Sequence, residues 1–357
     1  MNDRLIEVRP YRLKLRTPYR WSKGTQYERT GLILRLQRDM HVGWGEAALP
    51  PHIAYPPDAF AAECRSLLAG LNPHDENFLD ELGQRECPLR IRCGISSAVL
   101  TLQAAEAGKS LAAFLLGSDR AVPASVPVNE LIGDAEPAAC ATRADAAAAR
   151  GQDTVKVKCT AERELDLARI AAIRKAQPGI RIRIDPNECW PEQWAAEQLR
   201  AMEQFDIEYC EEPLPRGTPL AAYARLRKQT VVPIALDDSI RTVRDVELAA
   251  LLGAADVLIL KAQRLGGPDR LLEIVRAATR VGLRCTVTSS LETALGLYVG
   301  LHCTAMAPPP ISAAGIGTAR YYAENTGEPP PIEYGRMTVP TTPGLGFDPQ
   351  PWWDRQP

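Results

Sequence analysis

Five charged residues end short apolar segments in the middle of this 357-residue chain, and they recur at an almost constant interval. The residue numbers differ by 27, 26, 26 and 24 along the series Lys158, Asp185, Glu211, Asp237 and Lys261. An interval of that length accommodates one strand and one covering helix, which is the unit of a parallel β/α fold. If the units close into a barrel, all five side chains lie at the carboxyl edge of the strands, where such barrels place their chemistry. The spacing therefore predicts a charged site on a parallel α/β barrel.

The segments around this series predict two domains. Apolar residues at three- and four-residue spacing fill the intervals, and further strand-like segments flank them, so eight barrel strands are predicted within residues 116–319. Residues 1–115 begin with two alternating segments around a turn-prone stretch at 22–30 and continue with Ala- and Leu-rich helical segments, which predicts an α+β domain. Residues 320–357 are rich in proline, and we expect them to return to the first domain.

Composition excludes several classes of function. A net charge of −2 gives no electrostatic reason to expect nucleic acid or a membrane surface, and no segment resembles a membrane span or a signal peptide. The four histidines form no HxH or HExxH pair, which disfavours a zinc hydrolase. Nine cysteines without a CxxC pair favour reduced thiols. We therefore expect a cytoplasmic homo-oligomer that acts on a small-molecule carboxylate.

The three acids of the series are candidate metal ligands. A single acid at a strand end is usually a helix cap or a solvated loop residue, but Asp185, Glu211 and Asp237 follow three consecutive strands. Carboxylate oxygens are the ligands that Mg²⁺ prefers. Asn187 could orient the cluster from a second layer, although Asn is also common in turns. Because successive strand residues face opposite sides, Glu212 and the second-layer candidate Asp238 are expected to cap or pair rather than bind the metal.

Three lysines are candidates for acid/base chemistry. Lys156 and Lys158 lie two residues apart and therefore point to the same side of their strand. Burial and mutual repulsion favour the neutral amine, so we predict Lys158 as the general base and Lys156 as the residue that tunes it. Lys261 lies four strands further round the barrel and could act as a second acid/base or as a stabilising cation. A salt bridge between Lys261 and one of the acids is the structural alternative.

The ends of the last two predicted strands are candidates for substrate binding. Hydroxyl groups followed by a helix N-terminus could bind a carboxylate, and a Gly-rich turn offers backbone amides in the same way. A capping function, with Ser290 as the N-cap, explains the first segment equally well. The candidate substrate-binding residues are Ser289, Ser290, Glu292, Gly315 and Ile316.

Taken together, these segments resemble the muconate-lactonizing subgroup of the enolase superfamily. The resemblance rests on KVK at 156–158, DPN at 185–187, EEP at 211–213, LDDS at 236–239, LK at 260–261, SSLETALGL at 289–297 and GWGEAALP at 43–50. It implies a modified TIM barrel, (β/α)7β, with an α+β capping domain formed by the N-terminal part and the C-terminal tail. It also implies Mg²⁺, or Mn²⁺, as the cofactor.

The resemblance implies that Lys158 removes an α-proton from a carboxylate substrate and that the metal and Lys261 stabilise the enediolate. The last strand ends resemble o-succinylbenzoate synthases, which eliminate water to form an aromatic intermediate of menaquinone synthesis. N-succinylamino acid racemases share both lysines, and a muconate-type cycloisomerase is a third alternative. Dipeptide epimerases carry a DxD pair where this chain has SAAGIG at 312–317. A non-catalytic carboxylate-binding protein is disfavoured because no lysine or acid of the pattern is lost.

Overall fold

The computed structural model describes residues 6–21, 24–50, 55–133, 136–160 and 162–356. No helix in these ranges is long and apolar enough to cross a membrane. Residues 22–23, in the predicted turn, lie outside the described ranges, and so do residues 51–54.

The N-terminal part forms an antiparallel sheet covered by helices. The strands β1 (Glu7–Trp21), β2 (Gly24–Arg38) and β3 (His41–Ala48) pair in that order. Most of the stretch at 22–30 belongs to β2, so the turn predicted there is shorter than expected. The helices of this part are α1 (Pro57–Leu68), α2 (Phe78–Gly83), α3 (Leu89–Glu106) and α4 (Leu111–Leu116).

Two glycines in the GWGE segment explain how closely β3 packs on α3. A Cβ atom on Gly43 would lie 2.0 Å from the carbonyl oxygen of Ala98, and one on Gly45 would lie 1.9 Å from that of Gly94. Real Cβ atoms never approach backbone oxygens so closely, so only glycine permits this contact. The motif therefore fixes the distance between the sheet and its longest helix.

The central part is the predicted α/β barrel. Seven parallel strands form one sheet, in which strands that are consecutive in the chain are hydrogen-bonded to each other. These strands are β5 (Glu130–Ile132), β6 (Thr154–Lys158), β7 (Arg181–Asp185), β8 (Ile207–Glu211), β9 (Ile234–Leu236), β10 (Val257–Leu260) and β11 (Arg284–Val287). The helices are α5 (Pro137–Ala149), α6 (Arg163–Ala176), α7 (Glu192–Met202), α8 (Leu220–Arg227), α9 (Val243–Leu252), α10 (Ala262–Leu265), α11 (Pro268–Arg280) and α12 (Ala294–Ala305).

The two ends of the predicted barrel pattern differ from a regular repeat. The segment ASVPVNELIG at 124–133, predicted as the first barrel strand, divides into β4 (Ser125–Pro127), which pairs with β12 (Arg336–Thr338), and β5 in the barrel. The predicted eighth strand is reduced to two bridges, Val128 with Ala314 and Thr288 with Gly315. These bridges connect the two edges of the seven-stranded sheet and close the ring.

Helix α9 shows how local sequence sets the loops that leave the barrel strands. The Thr242 hydroxyl accepts a hydrogen bond from the Asp245 amide at 3.2 Å, and the Asp245 carboxylate accepts one from the Thr242 amide at 2.8 Å. This reciprocal capping box fixes the first turn, and Gly253 in the left-handed conformation ends the helix. The loop after β9, which carries Asp237, is therefore anchored at its far end.

The C-terminal segment contacts the N-terminal sheet. It ends in a short helix, α13 (Gln350–Trp353), and the Trp353 ring packs edge-on against Trp44 with 5.4 Å between centroids. The Arg9 guanidinium lies over the Trp353 ring and donates a hydrogen bond to the Gln356 carbonyl at 2.9 Å. Strand β1 and the C-terminal helix α13 thus pack on one layer.

Candidate active site

The charged series converges at the carboxyl edge of the barrel. Lys158, Asp185 and Glu211 are the last residues of β6, β7 and β8, whereas Asp237 and Lys261 follow β9 and β10 by one residue. Lys158 Nζ lies 2.5 Å from Asp185 Oδ2. On the other side of the ring, Lys261 Nζ contacts Asp237 and lies 3.9 Å from Glu211 Oε1.

Lys156 connects two of the acids from below. Its Nζ lies 2.8 Å from Asp185 Oδ2 and 2.6 Å from Glu211 Oε2, and all three side chains are buried. The two lysines of β6 therefore share Asp185, in agreement with the prediction that they face the same side. These lysines do not lie on an edge strand, because β6 pairs with β5 on one side and with β7 on the other.

The pKa values of the acids follow their neighbours. Burial alone would raise the pKa of Asp185, but Lys156 and Lys158 hold it far below its usual range. The pKa of Asp237 is likewise lowered, because Lys261 and Arg264 outweigh the effect of burial. The pKa of Glu211 is raised by burial and by the neighbouring Asp185 carboxylate.

The expectation of a neutral amine at Lys156 is wrong for this structure. Burial does lower its pKa, but Asp185 and Glu211 at hydrogen-bond distance raise it well above the usual value. The same balance raises the pKa of Lys261, where Asp237 outweighs burial. The spacing of the two lysines predicted repulsion between their charges. It did not predict how closely the carboxylates of the neighbouring strands approach the Lys156 amine.

The donor set has the chemistry of a hard-cation site. Asp185, Glu211 and Asp237 supply only oxygen donors, and an ammonium group already bridges the first two of them. In the described ranges no three His, Cys, Asp or Glu side chains are arranged around a common metal position. The carboxylates are held by ammonium groups in this arrangement, so metal binding requires these ion pairs to rearrange. The three acids fit Mg²⁺ by donor type and by charge.

Of the two predicted second-layer residues, Asn187 contacts a member of this cluster and Asp238 pairs with neighbouring arginines. The backbone amide and the side-chain amide of Asn187 donate hydrogen bonds to Asp185 Oδ1 at 2.9 and 3.0 Å. Asn187 itself adopts a left-handed φ of 52°. It is therefore a turn residue and at the same time contacts the carboxylate of Asp185. Asp238 forms ion pairs with Arg264 and, at 3.1 Å, with Arg216.

Glu212 organises the neighbouring loop, a function that the sequence indicated only as capping or pairing. Its carboxylate accepts hydrogen bonds from the Asp237 amide at 2.6 Å and from the Tyr223 hydroxyl at 2.7 Å. It also accepts one from the Ser239 hydroxyl. The second acid of the EE pair thus positions the strand end that carries the third candidate ligand.

A cavity of about 780 Å³ lies between the barrel edge and the N-terminal domain. The barrel contributes charged residues to it, and the N-terminal domain contributes a largely apolar wall. The charged residues include Lys158, Asp185, Asp237 and Lys261, and the apolar ones include Leu49, Tyr55, Phe60 and Leu89. The cavity can therefore hold a molecule that has both an anionic and an apolar part.

The candidate substrate-binding residues divide between three places. Ser289 and Ser290 line the main cavity, and the buried Ser290 hydroxyl has no hydrogen-bond partner among the described residues. Gly315 lines a connected recess of about 70 Å³ beside Lys158 and Lys261. Glu292 and Ile316 are buried and line a small internal cavity, and neither of them lines the main cavity.

The capping alternative for Ser290 is wrong, because α12 begins later and is capped from a distance. Thr293 is the N-cap residue. Glu46 of β3 accepts hydrogen bonds from the amides of Thr293 at 3.1 Å and Gly296 at 2.9 Å. The pKa of Glu46 is raised by burial. The sequence around Thr293 contains no motif from which a cap supplied by the N-terminal domain could be predicted.

Two further residues that the sequence did not single out connect the domains beside the site. The Gln263 side chain accepts a hydrogen bond from the Ala48 amide at 3.0 Å and donates one to the Glu46 carbonyl at 2.7 Å. The buried Arg29 donates to the Ser290 carbonyl at 2.9 Å and to the Leu291 carbonyl at 3.1 Å. The sequence feature that could have identified Arg29 is an arginine at an inward-facing position of an alternating strand.

Residues 139–353 match the family described as Enolase C-terminal domain-like. This match covers more than half of the chain, and the chain therefore belongs to the enolase superfamily, as predicted. Among its relatives, an o-succinylbenzoate synthase from Thermobifida fusca is 37% identical over 210 residues, which are 57% of this chain and 63% of that protein. One from Mycobacterium tuberculosis is 33% identical over 243 residues, which are 64% of this chain and 71% of that protein. The chain thus aligns with less than two thirds of the Thermobifida protein.

Solved structures agree with the fold over nearly the whole chain. A muconate lactonizing enzyme from Pseudomonas fluorescens has a TM-score of 0.88 at 26% identity, covering 97% of this chain and 96% of that one. A dipeptide epimerase from Cytophaga hutchinsonii, solved with Mg and a dipeptide, has a TM-score of 0.85 at 26% identity, covering 96% and 94%. The predicted barrel with its N-terminal cap is confirmed, and so is membership of a superfamily of lyases and isomerases.

Proposed function

We propose that the protein is a Mg²⁺-dependent enzyme that removes the α-proton of a carboxylate substrate, and that its reaction is the dehydration that forms o-succinylbenzoate. The observation that carries the proposal is the pair Lys158 and Lys261. Their strands, β6 and β10, are separated by three strands that carry the acids, and both side chains line the same cavity. The relatives named o-succinylbenzoate synthase support this choice of reaction.

Asp185, Glu211 and Asp237 would hold the metal ion, which supplies positive charge to the substrate carboxylate and so favours loss of the neighbouring proton. Lys158 accepts the proton from the α-carbon. The resulting ammonium group then returns that proton to the departing hydroxide, which leaves as water while the ring becomes aromatic. Lys261 remains protonated and stabilises the negative charge on the carboxylate oxygens. The Ser290 hydroxyl, which has no hydrogen-bond partner among the described residues, would donate to or accept from the substrate.

A racemase of N-acylated amino acids is the second candidate, because two amines facing one cavity could serve the two faces of an α-carbon. In that reaction Lys261 exchanges a proton, whereas in the dehydration it contributes charge alone. The two functions therefore differ in what the Lys261→Ala variant retains.

The test compares dehydration of the hydroxycyclohexadiene precursor of o-succinylbenzoate with exchange of the α-proton of N-succinylamino acids in heavy water. We expect dehydration by the wild-type protein and a loss of about 10²- to 10⁴-fold in Lys158→Ala. Lys228→Ala, at an exposed lysine that does not line the cavity, is the control. Exchange without dehydration, with one face surviving in Lys261→Ala, would establish the racemase instead. Full activity of Lys158→Ala would refute both.

A further inference from the structure

Arg90 is a cation on the capping-domain wall that the reaction above does not use. It is the second residue of α3, it is half-buried, and it lines the main cavity. Its Nη1 atom donates a hydrogen bond to the Ala48 carbonyl at 2.7 Å. Within the described part of the chain, Arg90 forms no ion pair, and its other guanidinium nitrogens have no hydrogen-bond partner.

The surroundings of Arg90 leave its charge uncompensated. Burial lowers the pKa of Arg90 to about 10, and the nearby Arg29 acts in the same direction. Glu292 opposes this effect, but its carboxylate already accepts a hydrogen bond from the Ser290 amide at 2.7 Å. Desolvating a charge is unfavourable unless a partner of opposite charge is supplied. A bound anion would supply that partner.

The other arginines with ion-pair partners in the cavity lining face the barrel acids. Arg216 pairs with Glu188 and Asp238, each at 3.1 Å, and Arg264 lies 3.3 Å from Asp237. These guanidinium groups are therefore committed to protein carboxylates. Arg90 differs from them both in its domain and in its lack of a carboxylate partner among the described residues.

The position of Arg90 in the cavity follows from its anchor. The Ala48 residue that accepts its hydrogen bond is itself bound by Gln263, two residues after Lys261. Arg90 therefore lies above the Lys261 side of the barrel, on the wall that also carries Leu49. Glu63, an acid on the same wall, accepts a hydrogen bond from the Tyr55 hydroxyl at 3.3 Å. Among the described residues, Arg90 is thus the cation that the N-terminal domain contributes to the cavity, while the acid cluster lies on the barrel wall.

We propose that Arg90 binds a second anionic group, a carboxylate at the far end of the substrate. The proposal rests on the proposed function, because o-succinylbenzoate carries one carboxylate on its ring and another at the end of its succinyl chain. The ring carboxylate belongs at the acid and lysine cluster, and the succinyl carboxylate belongs at Arg90. A planar guanidinium group with free N–H groups matches a carboxylate in a two-point hydrogen bond. Arg90 would then select dicarboxylates over monocarboxylates of the same shape.

The test measures binding by calorimetry in the presence of Mg²⁺, with o-succinylbenzoate and 2-butanoylbenzoate as probes. The second probe has a methyl group where the first has the terminal carboxylate. We expect the wild-type protein to bind o-succinylbenzoate about 30-fold more tightly than the second probe, as a charge-assisted hydrogen bond provides. Arg90→Gln should reduce this preference to about threefold or less while binding 2-butanoylbenzoate as the wild type does. Arg90→Lys should retain part of the preference.

Arg85→Gln is the matched control. Arg85 also belongs to the capping domain and donates only to backbone carbonyls, those of Leu67 at 2.7 Å and Ala69 at 3.0 Å, but it does not line the cavity. Its variant should keep the wild-type preference. A wild-type protein without preference, or an Arg90→Gln variant that keeps it, would overturn the subsite even if dehydration is observed. A preference that depends on Arg90 in a protein without dehydration activity would support the subsite and refute the proposed reaction.

Discussion

His302 predicts a specific dependence of stability on pH. It lies on α12 and is completely buried. Its Nδ1 atom accepts a hydrogen bond from the Ala112 amide at 3.4 Å, and its Nε2 atom lies 3.0 Å from the Leu345 carbonyl. The ring therefore connects a barrel helix, the first turn of α4 and the C-terminal tail, and these contacts require the neutral tautomer with a proton on Nε2.

Burial lowers the pKa of His302 from 6.5 to about 4. Between those values the unfolded chain binds a proton that the folded protein excludes, so stability falls as the pH falls. This lowering corresponds to roughly 3 kcal/mol of stability, which is lost once the pH is below 4. At pH 5 the loss is about 2 kcal/mol relative to pH 7.5, by the same relation.

The assay compares free energies of unfolding in urea at pH 7.5 and pH 5 for the wild type and for His302→Gln. Glutamine is neutral at both values and can still donate to the Leu345 carbonyl. The variant should be less stable at pH 7.5, but its stability should fall by about 2 kcal/mol less on acidification. The chain has four histidines, so their ring resonances can also be followed directly by NMR. A His302 resonance that titrates near pH 6.5, or a variant with the wild-type pH dependence, would refute the reasoning.

Three further predictions concern packing, the domain connection and the metal. Gly45→Ala should lower the free energy of unfolding by at least about 3 kcal/mol in urea, because its methyl group overlaps backbone atoms, whereas Gly179→Ala, which meets nothing within 4 Å, should change it little. Gln263→Leu should cost about 1–3 kcal/mol in the same assay, because it leaves the Ala48 amide and a facing carbonyl unpaired; an unchanged midpoint would contradict this. Asp237→Asn should weaken Mg²⁺ binding at least about tenfold by calorimetry, and wild-type affinity would rule out Asp237 as a ligand.

The barrel was predictable because its signal is repeated. Each unit contains an apolar strand, a charged strand end and an amphipathic helix at nearly the same interval. An ambiguous strand or helix assignment in one unit can therefore be resolved by comparison with the next unit. The eighth strand was the exception: it is formed by two bridges at Ala314 and Gly315, which are too short to produce an alternating pattern. The first strand was divided for a similar reason, since a segment of three residues carries little periodicity.

The sequence predicted which charged residues meet at the site, but it did not predict how their charges pair. Strand spacing brings Lys156 and Asp185 to one edge, but it does not say that their charges pair, and this pairing reverses the expected pKa shift of the lysine. Contacts that cross between the domains left the weakest signal. Glu46 and Gln263 are 217 residues apart in the chain, and neither belongs to a local motif that names the other.

The joint between the domains has a consequence for how such proteins diversify. Arg29, Arg90 and Gln263 all donate across or beside this joint to backbone carbonyls, and Arg29 donates in addition to the Gln26 side chain of its own strand. Every amino acid carries the same carbonyl group, so the accepting residues can be exchanged without loss of these hydrogen bonds. Ser290 and Leu291, which supply acceptors for Arg29, also line the main cavity. Substitutions at these positions can therefore change the side chains that line the cavity while the two domains keep their hydrogen bonds and relative position. Substrate specificity can thus evolve without a change in domain packing.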